Sequence, residues 1–383
     1  MHKLAILLTH PIQYYSPIFR LLQEGDVVYP KVFYTHLTDQ TLYDKGFGQE
    51  ISWDIPLLEG YEYQFQPAGS RLQNRALIAA IDQWRPQAVL VYGWNPPGHL
   101  AVMRHFKGKV PVWFRGDSTL LDEQPGPRQW LRRWFLRWIY RHIDLAFYVG
   151  THNRCYFEAH GLKPQQLRFA PHAIDNDRFA DGPDKNYEAR ALIWRRKLGI
   201  ADGDFVILFA GKLEPKKAPD HLLQTFQRLK EEGTYLPRLH LIFAGSGKME
   251  AELKQIAVNT PDVYFIGFQN QSIMPVVYRL GNVFCLPSKG PEETWGLAVN
   301  ESLASGTPVL VSDRVGCAIN LAIPVACSKM FLAGSQQSLR ESLEEQILLL
   351  SKSKKLKKMD CKLNTFMQEW SFNKFIKTIE NSI

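Results

Sequence analysis

One stretch in the second half of the chain, residues 284–313, constrains the fold more than any other. An apolar run at 282–286 predicts a buried strand, and a proline-bounded loop follows at 287–291. A helical pattern then covers 296–304, and the β-branched run at 307–311 predicts a second strand. Two parallel strands need a crossover of this kind, so the stretch predicts a β-α-β unit of a parallel sheet.

The rest of the chain repeats the alternation of strand and helix in two blocks. Strands are predicted at 3–9, 31–34, 88–92, 110–114, 145–149 and 167–170 in the first block, and at 205–210, 240–244, 263–266, 283–286 and 308–311 in the second. Helical patterns separate them, for example at 71–84 and 151–160. This order predicts the α/β class, with a doubly wound parallel sheet in each block.

The length of 383 residues exceeds what one compact core usually holds and fits two domains. A polar stretch at 175–186 has the composition of a linker, and residues 39–59 are interpreted as an irregular excursion over the edge of the first domain. We therefore predict a Rossmann-like N-terminal domain over 1–180 and a Rossmann-like C-terminal domain over 187–364, facing across a cleft. In such sheets, ligands bind at the carboxyl ends of the strands.

Charge and cysteine content bound the kind of protein and its surroundings. A formal net charge of +8 favours anionic partners such as nucleotide phosphates, anionic lipid headgroups or nucleic acid, without choosing among them. The five cysteines lack CxxC or metal-like spacing, which predicts a reduced cytoplasmic protein without disulfides. The first apolar run, at 4–8, is too short for a signal peptide, and no run approaches the length of a membrane span.

Two carboxylates stand out in the β-α-β stretch. Glu293 lies in the loop after the first strand, and Glu301 lies within the otherwise apolar helix. Burying an unpaired acid is costly, so a ligand that accepts both acids would explain their presence. The alternative is that Glu301 faces solvent and that Glu293 is an ordinary loop acid.

The run Glu-Thr-Trp-Gly-Leu-Ala-Val-Asn-Glu, from Glu293 to Glu301, resembles the Glu-x7-Glu signature of family 4 glycosyltransferases, and the later Ser-Gly-Thr-Pro-Val resembles the family as well. The resemblance implies the GT-B fold, a nucleotide-diphosphate-sugar donor and retention of anomeric configuration. It also implies that the last segment, 365–383, forms a helix that packs back on the first domain. No cofactor or metal is expected if lysines and backbone amides hold the donor.

A lysine-bearing loop follows the strand predicted at 205–210. It opens with Gly211 and carries Lys212 and Lys217, at the end of a strand where lysines can meet phosphate. The loop resembles the family's Gly-Arg-Leu…Lys motif, whose two cations hold the donor diphosphate, and such cations stabilise charge on a leaving group. Lys217 matches the family lysine, whereas Lys212 replaces the usual arginine and lacks its bidentate fork. The alternative is a polar turn with surface lysines.

Other residues of the donor site are implied by the same resemblance. Gly245 and Gly247 match a family Gly-x-Gly near the nucleoside, although a tight turn also explains them. Phe268 lies in a Gly-Phe-Gln-Asn segment that resembles the one that meets the base through its backbone.

The helix of the β-α-β stretch would complete the site. Its first amides, at Trp295, Gly296 and Leu297, would add backbone donors at the positive end of the helix dipole. By the resemblance, Glu301 would accept hydrogen bonds from the ribose hydroxyls, and Glu293 would lie beside the donor sugar.

The first domain is expected to bind the acceptor, and here the family match is weaker. The loop at 9–17 holds Gln13 and Tyr14, whose polar and aromatic groups suit a sugar face, although a packed turn explains them too. Some family members carry a functional histidine after the fourth strand, where this chain has Trp94 and Asn95, which could replace it. Arg115, after the next strand, faces the cleft by its position.

Residues 128–142 form a predicted helix in which tryptophans alternate with arginines, and Arg133, Arg137 and Arg141 share one face. Basic amphipathic helices can lie on anionic membranes, which would fit a lipid-linked acceptor. The alternative is a core helix with a solvated basic face.

Together these features predict a glycosyltransferase that moves a sugar from a nucleotide-diphosphate sugar to a glycan or lipid-linked acceptor, in polysaccharide or glycolipid biosynthesis. It would be cytoplasmic, with peripheral contact at the inner face of the membrane through residues 128–142. Two alternatives are another GT-B enzyme, such as a nucleotide-sugar epimerase, and a non-catalytic GT-B scaffold that binds a partner or glycan. Nucleic acid is not an expected partner, because the basic residues are scattered and carry no known binding motif.

Overall fold

The structure is a computed structural model, and it describes residues 1–36, 42–44, 46–232, 238–351 and 359–383. The chain divides into two compact units. Unit 1 comprises Met1–Leu42, Ile55–Ala173 and Ser371–Ile383. Unit 2 comprises Tyr43–Asp54 and Ile174–Trp370.

The regular elements follow the predicted alternation. The strands are β1 (His2–Leu8), β2 (Val28–Tyr34), β3 (Leu42–Asp44), β4 (Gln49–Ile51), β5 (Glu62–Phe65), β6 (Ala88–Tyr92), β7 (Val112–Arg115), β8 (Leu145–Tyr148), β9 (Leu167–Phe169), β10 (Phe205–Ala210), β11 (Leu239–Ala244), β12 (Val263–Gly267), β13 (Val283–Leu286), β14 (Val309–Ser312) and β15 (Lys329–Phe331). The α-helices are α1 (Ser16–Glu24), α2 (Arg71–Trp84), α3 (His99–Phe106), α4 (Pro127–Tyr140), α5 (Thr151–Ala159), α6 (Asn176–Phe179), α7 (Tyr187–Lys197), α8 (Pro219–Glu231), α9 (Glu250–Ala257), α10 (Met274–Arg279), α11 (Leu297–Ala304), α12 (Gln336–Ser351), α13 (Met359–Gln368) and α14 (Phe372–Glu380).

Unit 1 is built on a seven-stranded sheet with the order β5-β2-β1-β6-β7-β8-β9, in which all neighbouring strands are parallel. Apolar side chains cover both faces of the sheet, as a parallel sheet requires. The last helix, α14, belongs to this unit: Phe375 and Ile379 are fully buried in its core, and the Thr378 hydroxyl donates to the Phe169 carbonyl at 2.9 Å.

Unit 2 is built on a six-stranded parallel sheet with the order β12-β11-β10-β13-β14-β15. Every residue of β10 and β11 is buried, which explains their continuous apolar sequence. The strand order reverses between β10 and β13, and in unit 1 it reverses between β1 and β6. Such reversal points leave a crevice outside the carboxyl ends of the strands.

The predicted α/β class, with one parallel sheet in each block, is confirmed. Predicted and observed strands agree at 205–210 and 283–286, and α6 lies within the stretch that was interpreted as a linker. The small β3–β4 sheet was not predicted. It falls in the irregular excursion at 39–59, of which residues 39–41 and 45 lie outside the described part of the chain.

Candidate active site

The loops that follow β10, β11 and β12 are joined by backbone hydrogen bonds. The Gly211 amide donates to the Ala244 carbonyl at 2.9 Å, and the Gly245 amide donates to the Gly267 carbonyl at 2.7 Å. These loops carry most of the donor-site residues predicted from the sequence. The fold of unit 2 therefore brings them together at one edge, which we call the carboxyl edge of unit 2.

The two glycines of the Gly-x-Gly turn are required by the close approach of two loops. Gly245 has φ +134°, and a β-carbon there would overlap the carbonyl oxygen of Gly211. Gly247 has φ +154°, and a β-carbon there would lie 2.5 Å from the Leu213 carbonyl oxygen. Packing alone thus explains both glycines, and their absent side chains let the lysine-bearing loop lie directly on this turn.

Lys217 and Glu293 form a buried ion pair. The Lys217 Nζ lies 2.7 Å from Glu293 Oε2, and the two side chains are 17% and 7% exposed. The Ser288 hydroxyl donates to the same carboxylate oxygen at 3.0 Å. The Lys289 amide also donates to the Lys216 carbonyl at 2.9 Å, which joins the loop after β13 to the loop after β10. Glu293 is therefore not an ordinary loop acid, because its carboxylate is withdrawn from water and paired.

Two backbone hydrogen bonds from the loop after β14 fix the segment that carries Glu293. The Gly316 amide donates to the Glu293 carbonyl at 3.0 Å, and the Cys317 amide donates to the Trp295 carbonyl at 2.9 Å. A β-carbon at Gly316 would overlap the carbonyl oxygen of Thr294, so only glycine fits there. Burial and the neighbouring Glu293 raise the pKa of the Cys317 thiol, which is therefore neutral and unreactive.

Helix α11 begins beside this pair. Gly296 precedes it with φ +93°, and a β-carbon there would lie 3.6 Å from Glu293 Oε1, so the carboxylate rests against this turn. Trp295 is buried, and its indole donates to Asn300 Oδ1 at 2.8 Å, which fixes the turn that leads to Leu297. The start of α11 thus places the positive end of the helix dipole next to the ion pair.

Glu301 lies deeper in the same helix. It is 3% exposed, so the alternative in which it faces solvent is wrong. The hydroxyl of Tyr278, on α10, donates to Glu301 Oε2 at 2.7 Å. Tyr278 and Ser288 hold the two acids of the signature, and sequence reasoning did not find either. Both lie near the strand predicted at 283–286, but nothing in the sequence distinguishes either from a core residue.

Lys212 and Phe268 lie beneath a segment from the first half of the sequence. The Lys212 Nζ is 5.0 Å from the ring centroid of Phe47, and the Phe268 ring is 5.0 Å from the same centroid in an edge-to-face arrangement. Phe47 belongs to the excursion that the sequence left irregular. Its position could not be read from the pattern, because a contact between such distant residues leaves no local periodicity.

The carboxyl edge of unit 1 contains a cavity of about 520 Å³ next to Trp94 and Asn95. The ring of Phe135, on α4, contacts Trp94 edge to face at 5.6 Å. The other lining residues that bear polar groups or rings include Asp117, Ser118, Arg132, Tyr140 and Tyr156. Gln13 and Tyr14 are half-buried in the turn after β1 and do not line this cavity.

Arg115, which was predicted to face the cleft by its position, turns its side chain into the interior of unit 1. It is 2% exposed, and its guanidinium donates to the carbonyls of Ala170 and Pro171 at 2.8 and 3.0 Å. The ring of Phe375 lies 4.7 Å away. The sequence placed Arg115 correctly at a strand end, but the guanidinium turns inward because two carbonyls and an aromatic face replace the water it loses.

A cluster of rings beside Arg115 was missed. The Tyr15 ring lies 4.8 Å from that of Tyr92 and stacks at 6.2 Å on the ring of His172. The His172 Nε2 is 3.6 Å from Asp117 Oδ2. Burial raises the pKa of Tyr15 to about 12 and lowers the pKa of His172, so both are neutral near pH 7. These residues come from four separate parts of unit 1.

Two known families match the chain, each over part of its length. The family described as glycosyl transferases group 1 matches residues 191–360, and the glycosyl transferase 4-like domain matches residues 53–173. A D-inositol 3-phosphate glycosyltransferase of Geodermatophilus obscurus is 32% identical over 162 residues, which is 40% of this chain and 34% of the relative. An uncharacterized glycosyltransferase of Methanocaldococcus jannaschii is 31% identical over 126 residues, which is 32% of this chain and 31% of the relative. The matched region thus spans about a third of the length of these curated relatives.

Solved structures show the same fold. HepE of Anabaena, in complex with UDP and glucose, aligns with a TM-score of 0.70 over 100% of this chain and 99% of that chain, at 17% identity. At this identity, the likeness shows the fold alone. The two family matches, the Glu293–Glu301 signature and this two-sheet fold agree: the chain belongs to the family 4 glycosyltransferases, a family of transferase enzymes with the GT-B fold.

Proposed function

We propose that this protein transfers a sugar from a nucleotide-diphosphate sugar to a glycan or lipid-linked acceptor, with retention of anomeric configuration, in polysaccharide or glycolipid assembly. The observation that carries the proposal is the buried Lys217–Glu293 pair beside the start of α11. HepE of Anabaena, which shares the fold, was solved with UDP-glucose, and this supports a nucleotide-sugar donor. An ion pair with a purely structural role would not need the start of a helix and the loop after β10 beside it.

The site suits a reaction in which a diphosphate leaves. When the bond between the anomeric carbon and the β-phosphate oxygen breaks, negative charge builds on the diphosphate, and nearby cations and amides stabilise it. Lys217 and Lys212 would supply positive charge, and the amides at the start of α11 would supply donors. Glu293 would stabilise positive character on the sugar ring, and Glu301, held by Tyr278, would accept from the ribose hydroxyls.

The proposal is tested by incubating the protein with UDP-, GDP-, ADP- and dTDP-glucose and measuring the free nucleotide diphosphate. We expect turnover with one nucleotide class. We expect EDTA to leave the rate unchanged, because lysines and backbone amides, rather than a metal ion, would stabilise the leaving diphosphate. The same panel without acceptor separates donor hydrolysis from transfer. Lack of nucleotide binding to the wild-type protein would overturn the proposal and favour a scaffold.

Variants assign the reaction to the site. Glu293→Gln and Lys217→Ala should each lower kcat by roughly 100-fold or more, the usual cost of removing one group that stabilises transition-state charge. The matched control is Lys254→Ala, which removes a lysine from an exposed pair with Glu250 on α9 of the same unit. Wild-type rates in both site variants would refute the assignment.

Helix α4 supports contact with a membrane surface. Its inner side buries Leu136 and Ile139, whereas Trp130 and Trp134 are 77% and 71% exposed. Exposed tryptophans beside arginines are typical of helices that lie in a membrane interface. None of the helices in the described ranges combines the length and apolarity needed to cross a bilayer. We therefore propose peripheral binding at the anionic inner face of the membrane, where a lipid-linked acceptor would be presented.

Flotation with vesicles tests this contact. Wild-type protein should float with vesicles that contain phosphatidylglycerol and much less with pure phosphatidylcholine. The variant Trp130→Ser/Trp134→Ser should float less, because it lacks the apolar rings that would enter the membrane interface. The variant Arg137→Glu/Arg141→Glu should lose the preference for vesicles that contain anionic lipid. Circular dichroism would confirm that each variant is folded, and equal flotation of all three proteins would end the idea.

A further inference from the structure

Residues 46–54, which we call the strap, are fastened onto the carboxyl edge of unit 2. The Ser246 hydroxyl donates to the Phe47 carbonyl at 3.1 Å. The Asn270 side-chain amide donates to the Ser52 carbonyl at 2.7 Å, and the Ser272 amide donates to the carboxylate of Asp54 at 3.2 Å. The strap is thus held at both ends by the loops that follow β11 and β12.

At its first anchor, the strap packs on Lys212. A β-carbon at Gly46 would lie 2.5 Å from Lys212 Cδ and 2.7 Å from Nζ, so the lysine side chain lies directly against the strap backbone. The Lys212 ammonium is 5.0 Å from the ring centroid of Phe47, in cation–π contact. The edge-to-face contact with Phe268 holds that ring in turn.

These contacts restrict Lys212 without removing its charge. A free lysine side chain has many rotamers, and holding it in one conformation before a ligand arrives reduces the entropy that binding costs. An aromatic face attracts an ammonium but does not neutralise it as a carboxylate would. The Phe47 ring therefore orients the Lys212 ammonium without itself neutralising its charge.

We propose that Phe47 is a positioning residue for Lys212 and that the strap is part of the donor site. This inference rests on the proposed function, since Lys212 is assigned there to the donor diphosphate. It explains how a lysine, whose side chain lacks a fixed fork, can hold one orientation here: the strap supplies by packing the orientation that a guanidinium has through its fixed geometry.

The test compares UDP with uridine by isothermal titration calorimetry. Phe47→Ala should weaken UDP binding about fivefold to tenfold, the range expected for one cation–π contact of about 1 kcal/mol. Uridine binding should not change, because uridine lacks the diphosphate that Lys212 meets. Gly46→Ala should act the same way by displacing the lysine, and Phe47→Trp should restore UDP affinity. Val258→Ala, at an exposed position of the same unit, is the control.

A double variant separates positioning from general damage. In a Lys212→Met background, Phe47→Ala should have no further effect on UDP. Equal loss of UDP and uridine binding would overturn the proposal and show that Phe47 contacts the base. Tighter binding of both ligands would also overturn it and identify the strap as a competitor of the nucleotide. If the wild-type protein binds no nucleotide, the proposed function fails instead, so the two failures are distinct.

Discussion

The carboxyl edges of the two sheets are built by different means. In unit 2 the edge consists of backbone pressed on backbone, with glycines at 245, 247 and 316 where no β-carbon fits, and with a paired lysine and glutamate between the loops. In unit 1 the edge consists of side chains: rings stack on rings, and Arg115 is buried among carbonyls. Both edges lie in a parallel sheet whose strand order reverses.

The difference indicates how rigidly each edge fixes the groups that it would offer to a ligand. Backbone groups and an ion pair present a fixed arrangement of charge, which suits a phosphate-bearing ligand of constant shape. A surface of aromatic and polar side chains can change its contacts with few substitutions, which suits a ligand of more variable shape. The predictions below test whether the edge of unit 2 depends on charge and backbone fit, and the edge of unit 1 on side-chain burial.

The largest effect is expected at the ion pair. Lys217→Met leaves the Glu293 carboxylate buried beside a neutral group, which should lower the free energy of unfolding by roughly 3 kcal/mol. Adding Glu293→Gln should recover most of that loss, since an unpaired buried charge is no longer present. Urea denaturation of both variants measures the difference. If the single and double variants are equally destabilised, the pair is not a coupled element of this edge.

Gly316→Ala tests the dependence on backbone fit. The new β-carbon would overlap the Thr294 carbonyl, so we expect a loss of up to about 3 kcal/mol in the free energy of unfolding, as for overpacking, together with reduced turnover as the Glu293 loop shifts. Gly108→Ala in unit 1 is the matched control: its φ is +82°, but its β-carbon would meet open space. The control should cost about 1 kcal/mol from backbone strain alone. Similar losses of unfolding free energy at Gly316 and Gly108 would show that the contact with the Thr294 carbonyl adds nothing to the cost at Gly316.

Arg115→Met tests the edge of unit 1. The substitution fills a similar volume but leaves the Ala170 and Pro171 carbonyls without their donor, at a cost of about 2 kcal/mol. Nucleotide binding, which we assign to unit 2, should stay within twofold of the wild type. Thermal melting and calorimetry with UDP check the two expectations. A large loss of nucleotide affinity with unchanged melting would restore Arg115 as a ligand-binding residue.

The smallest effect concerns pH and unit 1. Burial lowers the pKa of His99 to about 4, and its Nδ1 lies 3.0 Å from the carbonyls of Tyr92 and Gly93. The unfolded chain, with a histidine pKa near 6.5, binds the proton first, so this histidine's contribution to stability is complete above pH 6.5 and is lost as pH falls towards 4.

His99→Asn keeps an N–H donor but does not titrate in this range. Between pH 7 and pH 5 the wild-type protein should lose about 1–2 kcal/mol more unfolding free energy than this variant. Urea denaturation at the two pH values measures the difference. Parallel pH dependence in the two proteins would show that His99 is accessible to protons when folded.

The sequence was informative wherever a residue's role depends on its local element. The strand at 205–210 and the Glu293–Glu301 spacing lie in continuous stretches, so periodicity and motif placed them correctly. Arg115 shows the limit of this reasoning: its position at a strand end was right, but the direction of its side chain depends on carbonyls more than fifty residues away. The ring cluster of Tyr15, Tyr92 and His172 was missed because its members lie on separate elements.

By itself, the sequence determined two parallel α/β sheets and the acids of the signature, because apolar periodicity and loop composition are local properties of a chain. Only the tertiary structure decided that Lys217 neutralises Glu293, that three glycines are fixed by neighbouring backbone, and that residues 46–54 lie on Lys212. These contacts join residues distant in sequence, and such contacts are selected by the packing of the whole unit rather than by any local preference of the chain.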